Sequence, residues 1–209
     1  MSSLLIIILL SYLAGSIPTS IIFSKIFFGY DIRDRGSGNA GGTNAFRVMG
    51  WKTGLTVTVI DVAKGVVATL LISQIRMGDL SWDHVYLQMI AGTSAVAGHV
   101  WTIFAGFRGG KGVGTASGML FVLYPVAALI CLAVFFIVLA FSRYVSLSSM
   151  SAAITLPLTL IMLNVLFNMT LSPPLLILAV LLALLIVYTH RGNIQRLMHG
   201  TENRIGKIF

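Results

Sequence analysis

Charged side chains are scarce in this chain. Asp, Glu, Lys and Arg make up 10% of the 209 residues, and only 6 of those residues are acidic. A water-soluble domain carries about 25%, so that class is excluded. Cysteine is nearly absent. The single residue, Cys131, lies in an apolar run, which rules out an intramolecular disulfide and leaves a space-filling role. Metal-ligand spacing is missing too: His84, His99, His190 and His199 form no H-E-x-x-H or comparable pattern, so no metal and no cofactor is expected. No basic face with interleaved aromatic residues lies outside the apolar runs, so the net charge of +8 does not point to nucleic acid. A G-x-S-x-G nucleophile elbow is lacking, because Arg35 and Asn39 flank Gly36-Ser37-Gly38. Internal repeats and low-complexity stretches are absent as well.

What the chain has is apolar sequence. Hydrophobic residues account for 57% of it, in runs near the 20 or so residues that a bilayer-spanning helix needs. Spans are expected near 3-24, 54-73, 84-104, 144-163 and 173-190, with a longer apolar stretch at 113-141. The first run has a small-residue patch, Ala14-Gly15-Ser16, but no basic residue precedes it and Lys25 follows it. It is read as a retained span that begins outside the cell, not as a signal peptide.

Basic residues gather between alternate spans: Lys25, Arg33, Arg35, Arg47 and Lys52 in the first loop, Arg108 and Lys111 in the third, and Arg191, Arg196, Arg204 and Lys207 in the tail. By the positive-inside rule these segments are cytoplasmic. Parity then decides the long stretch. One crossing at 113-141 would put Arg143 and the basic tail outside, whereas a break at Tyr124-Pro125 returns both to the cytoplasm. The expected fold is therefore an all-α polytopic membrane protein with seven transmembrane helices, two of them short (113-123 and 125-141). Its N-terminus lies outside, its C-terminus is cytoplasmic, and 1-209 form a single integral membrane domain. A five-crossing arrangement with part of this region re-entrant is the alternative.

The polar clusters all fall on the cytoplasmic face of this arrangement. The first runs from Arg35 to Arg47 and holds Gly36, Ser37, Gly38, Asn39, Gly41, Gly42, Thr43 and Asn44. Glycines let backbone amides converge on an anion, and the neutral donors and arginines around them suit phosphate. Its G-x-G-x-x-G spacing follows no strand, so a dinucleotide fold is not expected. The second cluster, His99 to Thr115, contains Gly109-Gly110-Lys111-Gly112 directly before a helix start. It fails the Walker A pattern at two positions, Ala105 and Gly112, but remains an anion site on backbone and charge grounds. Asp61 and Lys64, at i and i+3 inside a span, share a face and can pair, as a structural brace or as functional groups. Ser146 sits in a hydroxyl-rich turn after Arg143. His190 and Asn193, three apart at the end of the last span, are placed on one helix face, with Glu202 beyond. Asn168-Met169-Thr170 fits a glycosylation sequon and is taken as chance.

Together these segments resemble the bacterial acyl-phosphate:glycerol-3-phosphate acyltransferases, the PlsY family. The resemblance runs through Gly36-Ser37-Gly38-Asn39, Gly42-Thr43-Asn44, Arg47, Asp61, Lys64-Gly65, Gly98-His99, Gly109-Gly110-Lys111-Gly112, Arg143-Tyr144-Val145-Ser146, His190-Arg191, Asn193 and Glu202. It implies transfer of a fatty acyl group from acyl phosphate to the 1-hydroxyl of glycerol 3-phosphate, giving lysophosphatidic acid and phosphate, at the cytoplasmic side of a bacterial inner membrane. It implies that Ser37, His190 and Asn193 are catalytic and that Arg47 is needed for activity. Gly109, Gly110 and Gly112 would serve the glycerol phosphate, and Glu202 would be structural. Gly38, Asn39, Thr43, Asn44, Lys111 and Ser146 join the phosphate-binding set, and Asp61 and Lys64 the structural one. Membrane lipids and a soluble acyl-phosphate synthase are the partners implied.

The residues are consistent with that chemistry. An acyl phosphate carries a good leaving group, so an oriented hydroxyl suffices without a covalent acyl-enzyme. Proton removal falls either to His190 or to the departing phosphate with His190 orienting the hydroxyl, the second being preferred. Acyl-CoA enzymes acting on the same acceptor carry His, four residues, then Asp, and none of the four histidines here has Asp five positions on. The competing class is a small organic-anion or phosphate transporter using Asp61-Lys64 as a relay, which predicts clusters on both faces or repeated halves.

Overall fold

The computed structural model describes residues 2–76, 82–167 and 172–206, and every regular element in them is a helix. The sequon Asn168-Met169-Thr170, Asp79 and Lys207 lie outside the described residues. The chain divides into two compact units, Met1–Leu123 and Tyr124–Phe209.

The first unit contains α1 (Ser2–Ser16), α2 (Thr19–Phe28), α3 (Gly42–Leu70), α4 (His84–Val100) and α5 (Val113–Leu123). The first expected span is two helices, not one. Pro18 has no N–H to continue the ladder and breaks the run between Ser16 and Thr19. The helix of the second expected span, α3, starts at Gly42, well before the expected 54, so Thr43, Asn44 and Arg47 are helical and not part of the loop. Gly41 is extended and caps it, and Ala45 and Met49, one turn apart, are buried together with Ile21, Ile32, Ala40 and Val57. A kink at Gly50 (φ 83°, ψ 168°) separates this polar first segment from the apolar span.

Small residues let the helices of this unit approach closely. A Cβ on Gly15 would overlap the Ala95 carbonyl, and one on Gly98 the Tyr12 carbonyl, so α1 and α4 are in backbone contact. Gly65 against Thr115 and Gly118 against Val62 do the same for α3 and α5. Packing of this kind replaces the hydrophobic effect where the surroundings are lipid.

The second unit contains α6 (Pro125–Ser142), α7 (Val145–Phe167), α8 (Pro173–Thr189) and α9 (Arg191–Met198). Helix α5 ends at Leu123 and α6 begins with Pro125 as its first residue, so the break expected at Tyr124-Pro125 is present. Helices α6 and α7 pack together across a turn whose Arg143 is left-handed (φ 60°). The last span does not run straight into the tail, because α8 and α9 meet at 57°. The tail returns to the α6–α7 turn: Ile205 N–H donates to the Arg143 carbonyl (2.8 Å), and Arg204 donates to the Tyr144 hydroxyl (2.9 Å).

Among the described residues, four stretches are long and apolar enough to cross a membrane: Ser2–Phe28, Gly42–Gln74, Pro125–Ser142 and Val145–Phe167. The bent pair of α8 and α9 is a fifth if taken as one span. Helix α4, at 17 residues, and α5, at 11, are shorter.

Candidate active site

In the first unit both glycine-rich loops come together. The loop between α2 and α3 is built on Asn44, which is 1% exposed at the third position of α3. Its side-chain carbonyl accepts the Ser37 N–H (2.9 Å), and its amide donates to the carbonyls of Ile32 (3.2 Å), Arg35 (3.0 Å) and Asn39 (3.1 Å). The sequence offered Asn44 as a phosphate donor; in the structure its amide shapes the loop that presents Ser37, Gly38 and Asn39. Ser37 and Asn39 are half-buried, as are Thr43 and Arg47 on the first turns of α3.

Arg33 ties this loop to the second one. Its guanidinium donates to both carboxylate oxygens of Asp31 (3.0 and 2.8 Å) and to the carbonyl of Ala105 (2.9 Å). The hydrogen-bonded guanidinium holds the Asp31 carboxyl well below the usual carboxylate range, and the same contact raises Arg33. Sequence reading counted Arg33 only as a topology signal; the acidic residue two positions before it was the available clue.

The second loop folds back on the end of α4. Gly109 N–H donates to the Val100 carbonyl (3.1 Å) and Gly110 N–H to the His99 carbonyl (3.0 Å). These bonds account for α4 stopping at Val100 and not at 104 as expected. Gly112 is left-handed (φ 84°), a conformation other residues adopt at a cost, and it sets the start of α5 at Val113. Lys111 is half-buried beside it. A small recess lies here, lined by residues including Thr19, Ala40, Asp61, His99, Gly109 and Gly110.

Asp61 and Lys64 form the pair expected from their spacing. Lys64 Nζ is 2.6 Å from Asp61 Oδ1 and also donates to the Ile17 carbonyl (2.6 Å) and to Thr19 Oγ1. Three acceptors match the three hydrogens of an ammonium group. Thr19 in turn donates to Asp61 Oδ1 (3.1 Å). One acceptor is the carbonyl just before Pro18, at the helix break. That carbonyl also accepts the Thr19 N–H (2.9 Å), so the ammonium adds a second, charged donor to the backbone group at the break. Sequence analysis did not single out Ile17 or Thr19; Pro18 inside an apolar run was the signal for both.

The second unit holds the other cluster. His190 is 3% exposed and caps α9 at the bend, so it does not continue the helix of α8. Its carbonyl accepts the Asn193 N–H (2.8 Å), which fixes the two residues across one turn. His190 Nδ1 lies 2.7 Å from the Ile186 carbonyl. A carbonyl can only accept, so the contact puts the ring proton on Nδ1 and makes Nε2 the basic nitrogen.

Glu202 is the hub of this cluster. Its carboxylate accepts from Ser146 Oγ (2.8 Å), Asn193 Nδ2 (2.6 Å) and Arg196 Nε (2.7 Å). Burial works to raise its pKa, but these hydrogen bonds and the Arg196 charge outweigh it, so the net shift is downward from 4.5. The sign of the pH effect follows. A depressed carboxyl contributes stability that is present above its ordinary value and is lost as pH falls through its lower value in the folded protein. The wild type is expected to lose thermal stability more steeply than Glu202→Gln as pH falls below about 4.5. Unfolding midpoints of both proteins across that window check this, and parallel curves would contradict it. Ser146, placed by sequence among phosphate ligands, gives its hydroxyl hydrogen to Glu202.

Comparison with known proteins bears on the whole chain. Residues 5–200 match the family described as glycerol-3-phosphate acyltransferase. A curated glycerol-3-phosphate acyltransferase from Chlorobium phaeobacteroides (strain BS1) is 48% identical over 229 aligned positions, covering 98% of this chain and 97% of the relative. One from Chlorobium chlorochromatii (strain CaD3) is also 48% identical, covering 98% of each. A solved structure of PlsY, an integral membrane glycerol 3-phosphate acyltransferase in its glycerol 3-phosphate form, superposes with a TM-score of 0.86. The two are 36% identical, with 99% of this chain and 97% of that chain covered.

Proposed function

The chain belongs to the glycerol-3-phosphate acyltransferase family, and from that premise we propose that it moves a fatty acyl group from acyl phosphate to the 1-hydroxyl of glycerol 3-phosphate. The products are lysophosphatidic acid and inorganic phosphate. The observation that carries the reading is the match over 98% of the chain at 48% identity, joined to a site chemistry suited to anions and to one oriented hydroxyl.

Each cluster has its own part. In the first unit Asn39, Thr43, Arg47 and Lys111 hold phosphate oxygens with side-chain donors and fixed charge, while Gly38, Gly109, Gly110 and Gly112 shape the two loops that present them, the amides of the first three being given to the Arg35, Val100 and His99 carbonyls. Ser37 contributes hydrogen bonding to the oxyanion that develops on the acyl carbonyl. In the second unit His190, with its proton on Nδ1, orients the 1-hydroxyl through Nε2 without taking its proton. Asn193 is fixed beside it by Glu202.

The new ester C–O bond forms as the carbonyl C–O bond to phosphate breaks. The hydroxyl proton leaves with the departing phosphate, whose charge rises as that bond lengthens. No acyl-enzyme is formed, because the donor is already activated and positioning supplies most of the rate. The protein acts in a bacterial inner membrane with seven crossings, N-terminus out, and with the polar clusters at the cytoplasmic side. Helix α5, of 11 residues, spans about 16 Å at the α-helical rise, so the bilayer thins or is displaced around it. A soluble acyl-phosphate synthase supplies the donor.

The test compares donors. Purified protein in liposomes should acylate labelled glycerol 3-phosphate from palmitoyl phosphate and not from palmitoyl-CoA. Equal use of the CoA ester would overturn the donor assignment, and glycerol 3-phosphate uptake without acylation would favour a transporter.

A further inference from the structure

His99 stands between the buried charge pair and both glycine loops. It is 8% exposed at the end of α4. On one side its Nδ1 lies 3.8 Å from Asp61 Oδ1, the oxygen that already takes hydrogen bonds from Lys64 and Thr19. On the other side its Nε2 fills the space where a side chain on Gly110 would begin, and its carbonyl fills the corresponding space at Gly109. A Cβ on Gly110 would also come within 2.8 Å of the Ala40 carbonyl, so Gly110 is held between the imidazole and the first loop. The main chain repeats the clasp through the Gly109 and Gly110 amides on Val100 and His99.

This geometry gives the two glycines a reason that differs from anion binding. They must be bare because the imidazole and the chain of α4 occupy their side-chain positions. A buried ring packed 3.8 Å from a carboxylate oxygen on one side and against loop backbone on the other has little room to turn. The loop resting on it inherits that orientation. Lys64 holds the Asp61 side chain in place, and Asp61 in turn limits the room in which the ring can turn.

Resting on the acyltransferase reading, we propose that His99 is a positioning residue for the glycerol 3-phosphate site. It sets the height and register of Gly109-Gly110 against Ala40, and it acts on acceptor binding, not on the chemical step.

The experiment measures kcat and both KM values for the full-length protein in liposomes, with glycerol 3-phosphate and palmitoyl phosphate varied in turn. His99→Leu fills the volume without an Asp61 contact. It is expected to raise the KM for glycerol 3-phosphate about tenfold, with kcat and the KM for palmitoyl phosphate within about threefold of wild type. His99→Gln, whose amide can meet Asp61, is expected to recover most of the loss. Should His99→Leu not be recovered folded, His99→Asn replaces it, being polar but too short to support Gly110, and the same pattern is expected.

A lowered melting temperature with an unchanged KM would reduce His99 to packing and overturn the assignment. A collapse of kcat with KM intact would overturn it in favour of a direct catalytic role, and His99→Gln no better than His99→Leu would remove Asp61 from it. Wild-type protein that makes no product would instead defeat the acyltransferase reading itself, before any variant is compared.

Discussion

Replacing His190 by alanine is expected to lower kcat for acyl transfer by about 10²-fold or more, the loss expected when the group that orients the attacking hydroxyl is removed. The KM for glycerol 3-phosphate should change much less. The reason is the fixed tautomer: Nδ1 is spent on the Ile186 carbonyl, 2.7 Å away, which leaves Nε2 as the basic nitrogen of a buried ring. The substitution removes the ring but keeps the backbone carbonyl that caps α9 and receives the Asn193 amide. The fold of the second unit should therefore survive. Initial rates and an unfolding midpoint on the same preparation check both halves. A variant with near wild-type turnover would show that Nε2 has no part in the reaction.

The second large effect is on stability. Lys64→Met leaves Asp61 buried inside a span with the Thr19 hydroxyl as its remaining strong donor. Removing one partner of a buried ion pair costs about 3 to 5 kcal/mol, and here the Ile17 carbonyl loses its ammonium partner as well. A matching double variant, Lys64→Met with Asp61→Leu, should recover a large part of that loss, since two apolar side chains leave no stranded charge. Denaturant titration of the wild type and the variants in detergent gives the comparison. A double variant no more stable than Lys64→Met would show that the cost comes from the Ile17 carbonyl or from packing, and not from the stranded charge of Asp61.

Much of this architecture was legible in the sequence because it rests on strong local signals. Pro125 fixes where one helix stops and the next begins, and α5 and α6 meet there. The i, i+3 spacing of Asp61 and Lys64 leaves pairing as the cheap solution inside an apolar run, and they pair. What escaped were features set by tertiary hydrogen bonding. Hydropathy registers Ile17 as apolar and cannot tell that its carbonyl is taken by a lysine 47 residues away. A glycine-rich stretch suggests a loop throughout, yet burial of Ala45 and Met49 against Ile32 pulls the chain into a helix from Gly42. His190 and Asn193 were placed on one helix face, and they lie across one turn at the start of α9; the 57° bend before that turn, and the Glu202 carboxylate that takes Asn193 and Arg196, had no local signal.

Asn44 and Ser146 carry the same lesson at the level of single side chains. Residue type marks them as donors suited to phosphate, while their partners in the fold are a loop backbone and a carboxylate. A polar side chain can shape a site without touching its ligand.

The most direct test of the central claim is a product balance. Purified protein in liposomes is given palmitoyl phosphate and labelled glycerol 3-phosphate, and lysophosphatidic acid and inorganic phosphate are both quantified. The account predicts one phosphate released for each lysophosphatidic acid formed, with release dependent on the acceptor. Phosphate release without glycerol 3-phosphate, or labelled product without phosphate release, would contradict direct transfer from the acyl phosphate.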